Sequence, residues 1–427
     1  MRKLLIPIFL ILMLTCHQPG QKNYTNYDFK INIKPDQHKI DCQLHMQYIN
    51  PSPATDSLTF LLYEDMLIKS LQSSKIKNFS FDTSSSSPFR YTPRAGILHI
   101  KLNQQLRQNE SIDLLITYAG KIKDVNRWRT NRVTADWIEL GLYTPWFPYN
   151  PELDTISYQV KCKIPDQYTI AGNGKTHKHN NHWIINNSIA DNDIIITGSK
   201  NIDSKTIDHE NYTLTIHSAV NLTPEALDSM LVMGNGILDN YINWFGQTNS
   251  ANPKIVIAPR KIGGGYSRKN IIILSRISEQ DFFQNKAGYL RYFAHEFAHN
   301  WWSKARTDSW EDWLNESFAE YSALLMVRNL IGKEEFEERI ANKSENTDEL
   351  PPLRGLDRSH KKAYQVLYNK GPYLLYNLEK DIGEAAFMTL LKTVHENKIS
   401  KTKDLINLID NKFGPKTALE LDSGLNR

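Results

Sequence analysis

Apolar and polar residues alternate in short runs from Tyr24 to about Lys205, after which the period lengthens to that of helices. In the first stretch, residues 29–33, 40–49, 58–62, 96–102 and 111–118 alternate apolar with polar positions, the spacing of strands with one buried face. Polar turns containing Pro, Asn, Asp and Ser separate them, and the serines of 84–87 before Pro88 read as a loop tip. These runs predict an antiparallel β domain over residues 23–205. In the remainder, 206–427, Thr223 and Pro224 supply a cap and a first-turn proline to a helical pattern over 224–245 that Gly246 ends. The apolar runs 255–258 and 271–274 predict strands, and helical patterns dominate from residue 291 to the last, over 405–413. The reading is α+β and multi-domain.

Candidate chemistry concentrates in residues 291–328, RYFAHEFAHNWWSKARTDSWEDWLNESFAEYSALLMVR. His295, Glu296 and His299 spell H-E-x-x-H. On a helix two histidines four apart share one face, so both imidazoles can reach one ion with the glutamate beside the first. The apolar flanks Tyr292, Phe293, Ala294, Phe297, Ala298, Trp301 and Trp302 suit a buried helix. A catalytic zinc site takes three protein ligands and leaves one position open. The third is expected from a second helix, with Asp312 as its cap and an apolar stripe through Trp313, Leu314, Phe318, Ala319, Leu324, Leu325 and Val327. Glu316 and Glu320 lie one turn apart there, so one can bind metal while the other orients a histidine. Glu316 is the better candidate ligand. The expected cofactor is one Zn2+ per chain, with Glu296 as general base.

H-E-F-A-H-N-W-W followed by W-E-D-W-L-N-E-S-F-A-E-Y resembles the gluzincin metallopeptidases of the aminopeptidase N type, which include the leukotriene-converting hydrolase. The resemblance implies a saddle-like N-terminal β domain, a thermolysin-like and mainly α catalytic domain over 206–427, Glu316 as third zinc ligand and a peptide substrate. It also implies that Tyr368, in Y-N-K-G, stabilises the transition state, with Tyr364 and Tyr373 as neighbouring competitors. The connection 300–315 is shorter than the family's usual one. Where the aminopeptidases carry G-x-M-E-N, whose glutamate holds the substrate amine, this chain reads G-G-G-Y-S-R-K-N and has no glutamate. From the residues themselves, Gly263, Gly264 and Gly265 let a substrate backbone approach closely, and Tyr266 and Arg268 join them as candidate substrate contacts, Arg268 for a carboxylate or other anion. Larger family members continue into a helical C-terminal domain that has no counterpart here, which implies a more open cleft. Two alternatives stand beside the peptidase: a zinc hydrolase of other small substrates, such as an epoxide, and a binding protein that keeps zinc for structure.

Charge and composition narrow the picture. The net charge is +4, two units of it from Arg2 and Lys3, and such a balance implies no nucleic-acid partner. Those two residues and the apolar run 4–14 form a signal-peptide pattern in residues 1–22, too short to span a bilayer, so the chain is expected to be exported to the periplasm or cell surface. Cys16 directly after the run resembles the lipidated cysteine of a bacterial lipoprotein, which would attach the chain to a membrane. Cys42 and Cys162 could pair in an oxidising compartment, although buried free thiols are equally ordinary. A rival metal group, His177, His179 and His182, falls around a hairpin tip at Asn180 and Asn181 and reads as an exposed turn.

Overall fold

The computed structural model describes residues 24–85, 87–123, 130–248, 252–345 and 347–427. The leader, with Cys16, lies outside the described residues, and of the serine loop tip Ser86 does too. The N-terminal domain is built on a seven-stranded sheet in the order Lys175–His179, His182–Ala190, Ile156–Lys163, Thr25–Lys34, Lys39–Ile49, Ser111–Lys121, Met66–Gln72. Alternation does what the sequence predicts: along Thr25–Lys34 the side chains of Tyr27, Phe29, Ile31 and Ile33 are buried.

The sheet is antiparallel as expected, with one parallel pairing. Thr25–Lys34 runs parallel to Ile156–Lys163, in register from Thr25 opposite Ile156 to Asn32 opposite Lys163. Hairpin-linked strands must be antiparallel, but these two are far apart in the chain and joined through the rest of the domain. Ile31 pairs with Cys42 on one side and Cys162 on the other. The two thiols are thus two strand spacings apart, roughly 9–10 Å, beyond the Cα separation a disulfide bridges. Both are buried and free. The histidine hairpin is as expected: His179 pairs with His182 across Asn180, whose φ is 50°, and His177 and His179 are exposed.

The second domain opens with a five-stranded sheet, ordered Asp203–Asp208, Thr213–Ser218, Lys254–Ile257, Ile271–Leu274, Tyr266–Arg268. Its first strand, Asp203–Asp208, spans the sequence-derived boundary at 205/206. The apolar runs on the two central strands are continuous because both faces are covered. Ile255, Ile257, Ile272 and Leu274 join the helical core, while Val256, Ile271 and Ile273 pack with Trp137, Ala171 and Ile195 of the N-terminal domain. The edge strand Tyr266–Arg268 therefore lies where the domains meet. The helix Pro224–Phe245 has the expected cap, Thr223 Oγ1 accepting from the Ala226 amide at 3.2 Å, and ends at Gly246 with φ 95°. Among the described residues no helix is long and apolar enough to cross a membrane.

Candidate metal centre

The helix Lys286–Ala298 carries His295 and Glu296, has His299 as its C-cap residue, and packs against the helix Trp313–Leu330. Asn285 caps the first, accepting from the Gly288 amide at 3.0 Å, and the Tyr241 hydroxyl donates to the Ala294 carbonyl at 3.0 Å. Phe293, Ala294, Phe297 and Ala298 are fully buried, which seats the helix so firmly that His295 and Glu296 are buried too. Asp312 does not cap the second helix as the sequence suggested. A short 3-10 turn, Trp310–Asp312, precedes that helix, and the Asp312 carboxylate instead accepts from Asn315 Nδ2 at 2.8 Å and pairs with Arg358 at 2.8 Å.

The two helices bring His295, His299 and Glu316 together, with one ligand atom from each within 4.8 Å of the others. Glu316 Oε2 lies 3.5 Å from His295 Nε2 and 3.8 Å from His299 Nε2. Three atoms bound tetrahedrally to one zinc at ~2.0–2.1 Å would be separated by roughly 3.4 Å, so the set fits the ion with small adjustments. The outer ring nitrogens fix which tautomer faces inward. His295 Nδ1 donates to Glu320 Oε2 at 3.1 Å and His299 Nδ1 to the Trp302 carbonyl at 3.0 Å, leaving both Nε2 lone pairs for a cation. Glu320, the expected orienting residue, is fully buried. Arg291 Nη1 donates to both its oxygens, at 2.8 and 2.7 Å, and Lys343 Nζ lies 2.6 Å away. These cations outweigh its burial and hold it well below the usual carboxylate range.

Protonation shows the same demand for positive charge. Burial works against a charged His295, yet hydrogen bonds to Glu316 and Glu320 overcome it and raise the ring to about 10. Burial pushes the Glu296 carboxyl up to about 7, helped by the Glu316 charge and opposed by His295, Arg268 and Arg260. A buried carboxylate poised near neutrality is what proton transfer requires.

Tyr368 lies on a π-helical turn, Val366–Lys370, closed by the Gly371 amide donating to the Val366 carbonyl. Its hydroxyl donates to Glu316 Oε2 at 2.5 Å, and its ring stacks on His295 at 5.2 Å. Burial, then the Glu316 charge, hold the phenol well above its ordinary value, so it stays a donor. Of its competitors, Tyr364 is 64% exposed and stacks on Tyr368, whereas Tyr373 stacks on Tyr376. Gly371 is needed here because a Cβ would lie 2.0 Å from Ser317 Oγ on the glutamate helix.

The glycine loop reaches the centre at one point. A Cβ on Gly265 would lie 2.7 Å from Glu296 Oε1 and 2.8 Å from the Tyr292 hydroxyl. The carbonyls of Gly263 and Gly264 are taken by Ser275 Oγ, at 3.3 and 3.0 Å. The Tyr266 side chain departs from the expected substrate contact: it is 7% exposed in the interdomain core, and its hydroxyl donates to Glu139 at 3.1 Å. Arg268 is paired with Asp193 at 2.8 Å and keeps partial exposure. Sequence reasoning missed Arg291, which sits four residues before His295 on the same helix face and was findable from that spacing. Lys343, Arg358, Arg260 and Glu139 carried no local signal.

Residues 268–423 match the Peptidase family M1 domain. Solved structures share the fold along nearly the whole chain. An M1 zinc metallopeptidase mutant from Deinococcus radiodurans has a TM-score of 0.73 at 16% identity, covering 94% of each chain. A mutant from the same organism, with a Tyr-Ser-Ala substrate bound, has a TM-score of 0.72 at 16% identity, over 95% of this chain and 94% of that one. A two-domain M1 zinc metallopeptidase mutant bound to L-tryptophan has a TM-score of 0.71 at 17% identity, over 96% and 95%.

Proposed function

We propose that this chain is a zinc metallopeptidase of the M1 type in a two-domain form and that it hydrolyses peptide bonds with Glu296 as general base and Tyr368 as oxyanion donor, a reading supported by the match of residues 268–423 and by the shared fold. The observation that carries the reading is the convergence of His295, His299 and Glu316 from two helices, with Glu296 buried one residue from the first histidine. Those three residues would hold one zinc. When bound, the ion supplies a lowered pKa for its water and a polarising charge for the substrate carbonyl.

The remaining steps belong to the chain. Glu296, in its ionised form, takes the proton of the attacking water and returns it to the leaving amine. Gly265 lets the loop pack directly on that carboxylate, since a Cβ there would lie 2.7 Å from Glu296 Oε1. The Tyr368 hydroxyl exchanges its bond to Glu316 for one to the oxygen that gains charge as the carbonyl is attacked. Glu320, Arg291 and Lys343 hold the His295 ring in orientation throughout.

Glu296→Gln tests the assignment. The amide keeps the volume and cannot accept the proton, so kcat should fall on the order of 10²- to 10⁴-fold while bound zinc stays at the parent's level. A variant as active as the parent would exclude Glu296 as base. Export, with lipid attachment at Cys16, completes the proposal, supported by the basic and apolar leader. Fractionating cells that express the parent and Cys16→Ser tests it: the parent should follow membranes and the variant should not.

A further inference from the structure

Near Glu296 stand two arginine–carboxylate pairs whose members come from different domains. Arg260 Nε donates to Glu139 Oε2 at 3.0 Å with neither side chain exposed, and Glu139 also accepts from Trp137 Nε1 at 2.8 Å and from Tyr266 at 3.1 Å. Arg268 Nε donates to Asp193 Oδ2 at 2.8 Å, and the other oxygen of Asp193 accepts from the Leu142 amide at 2.9 Å. Glu139 and Asp193, which the N-terminal domain brings against the glycine loop, are thus buried and committed. Neither is open to a substrate ammonium.

Arg268 differs from Arg260 in being reachable. Its side chain is 17% exposed, spread over the rings of Tyr143 and Tyr266 at 5.1 and 5.4 Å, with Nη1 on the Ser267 carbonyl at 2.8 Å. It sits on the edge strand three residues beyond Gly265, the residue that touches Glu296. An ammonium brought there meets a guanidinium whose own carboxylate partner, Asp193, is already committed. A carboxylate brought there meets a planar donor already oriented by stacking and by Asp193.

We infer that Arg268 is a specificity determinant that selects peptides presenting a carboxylate close to the scissile bond, and that the site does not depend on a free ammonium. This rests on the peptidase reading. The carboxylate can be an acidic side chain or the end of a chain, and the test separates them.

The zinc-loaded protein is given matched N-acetylated peptides with an acidic, neutral or basic residue flanking the scissile bond, each with a free and an amidated C-terminus. Each is also offered with an unblocked N-terminus. Acidic peptides should exceed basic ones on the order of 10- to 100-fold in kcat/KM, with acetylation tolerated. Persistence of the preference in the amides assigns it to the side chain, and its loss on amidation assigns it to the chain end. Arg268→Gln should bring the ratio near parity and Arg268→Glu should reverse it. Because either variant frees Asp193, inhibition of the parent provides a second readout: N-acetylaspartate should inhibit more strongly than its diamide. A requirement for the free amine, a preference for basic peptides, or equal inhibition by acid and diamide would overturn the inference while leaving a peptidase. No hydrolysis of any peptide would overturn both.

Discussion

The chain holds two groups of histidines, and only one is built to bind an ion. His177, His179 and His182 lie within six residues, around a hairpin tip. His295 and His299 are joined by a carboxylate from another helix, yet among the described residues theirs is the group whose three donors come within 4.8 Å. Hairpin histidines stand on an exposed ribbon, where slight desolvation and then the charges of Lys161 and Lys163 lower the His182 ring. The helix-borne pair is buried, each ring oriented by an acceptor on its outer nitrogen, with Glu316 supplying negative charge. Proximity in sequence is a poor guide to a metal site, whereas restrained rings and an unsatisfied demand for positive charge are a good one.

The comparison can be sharpened first at the residue that only the helical group possesses beside its ligands. Replacing Tyr368 by Phe keeps the ring stacked on His295 and removes the donor, so kcat should fall on the order of 10²- to 10³-fold with KM and zinc content near the parent's. Steady-state kinetics with metal analysis checks this, and a change confined to KM would deny the tyrosine its role. A smaller effect is expected one layer out. Glu320→Gln leaves Arg291 and Lys343 without their shared carboxylate and weakens the hold on His295, so zinc should bind roughly 10- to 100-fold more weakly. Competition with a chelating dye measures it, and unchanged affinity would make Glu320 a purely structural residue.

How much of this was legible follows the distance over which each feature is specified. Helical spacing alone aligns His295 with His299 and places Glu316 one turn before Glu320, so the ligands and the orienting carboxylate could be read from two short stretches. Arg291 was equally local. The rest depends on chain segments that meet only on folding. Arg260 finds Glu139 and Arg268 finds Asp193 across the domain interface, and Thr25–Lys34 finds its parallel partner at Ile156–Lys163. The misreading of Asp312 is of the same kind: an aspartate before a helix suggests a cap, but Arg358, from a later loop, claims its charge. The change in role of Tyr266 also came from the other domain, through Glu139.

The smallest effect should come from the hairpin. Changing His177, His179 and His182 together to Ala should leave zinc content and kcat/KM at the parent's values, since none of them touches the helical centre. Loss of one zinc equivalent in that variant would break the comparison.

The most direct measurement is anomalous scattering from a crystal of the zinc-loaded protein, recorded on both sides of the zinc absorption edge. One peak between the inner nitrogens of His295 and His299 and the Glu316 carboxylate is the expected result. A peak at the hairpin instead, or none at the helices under saturating zinc, would contradict the account.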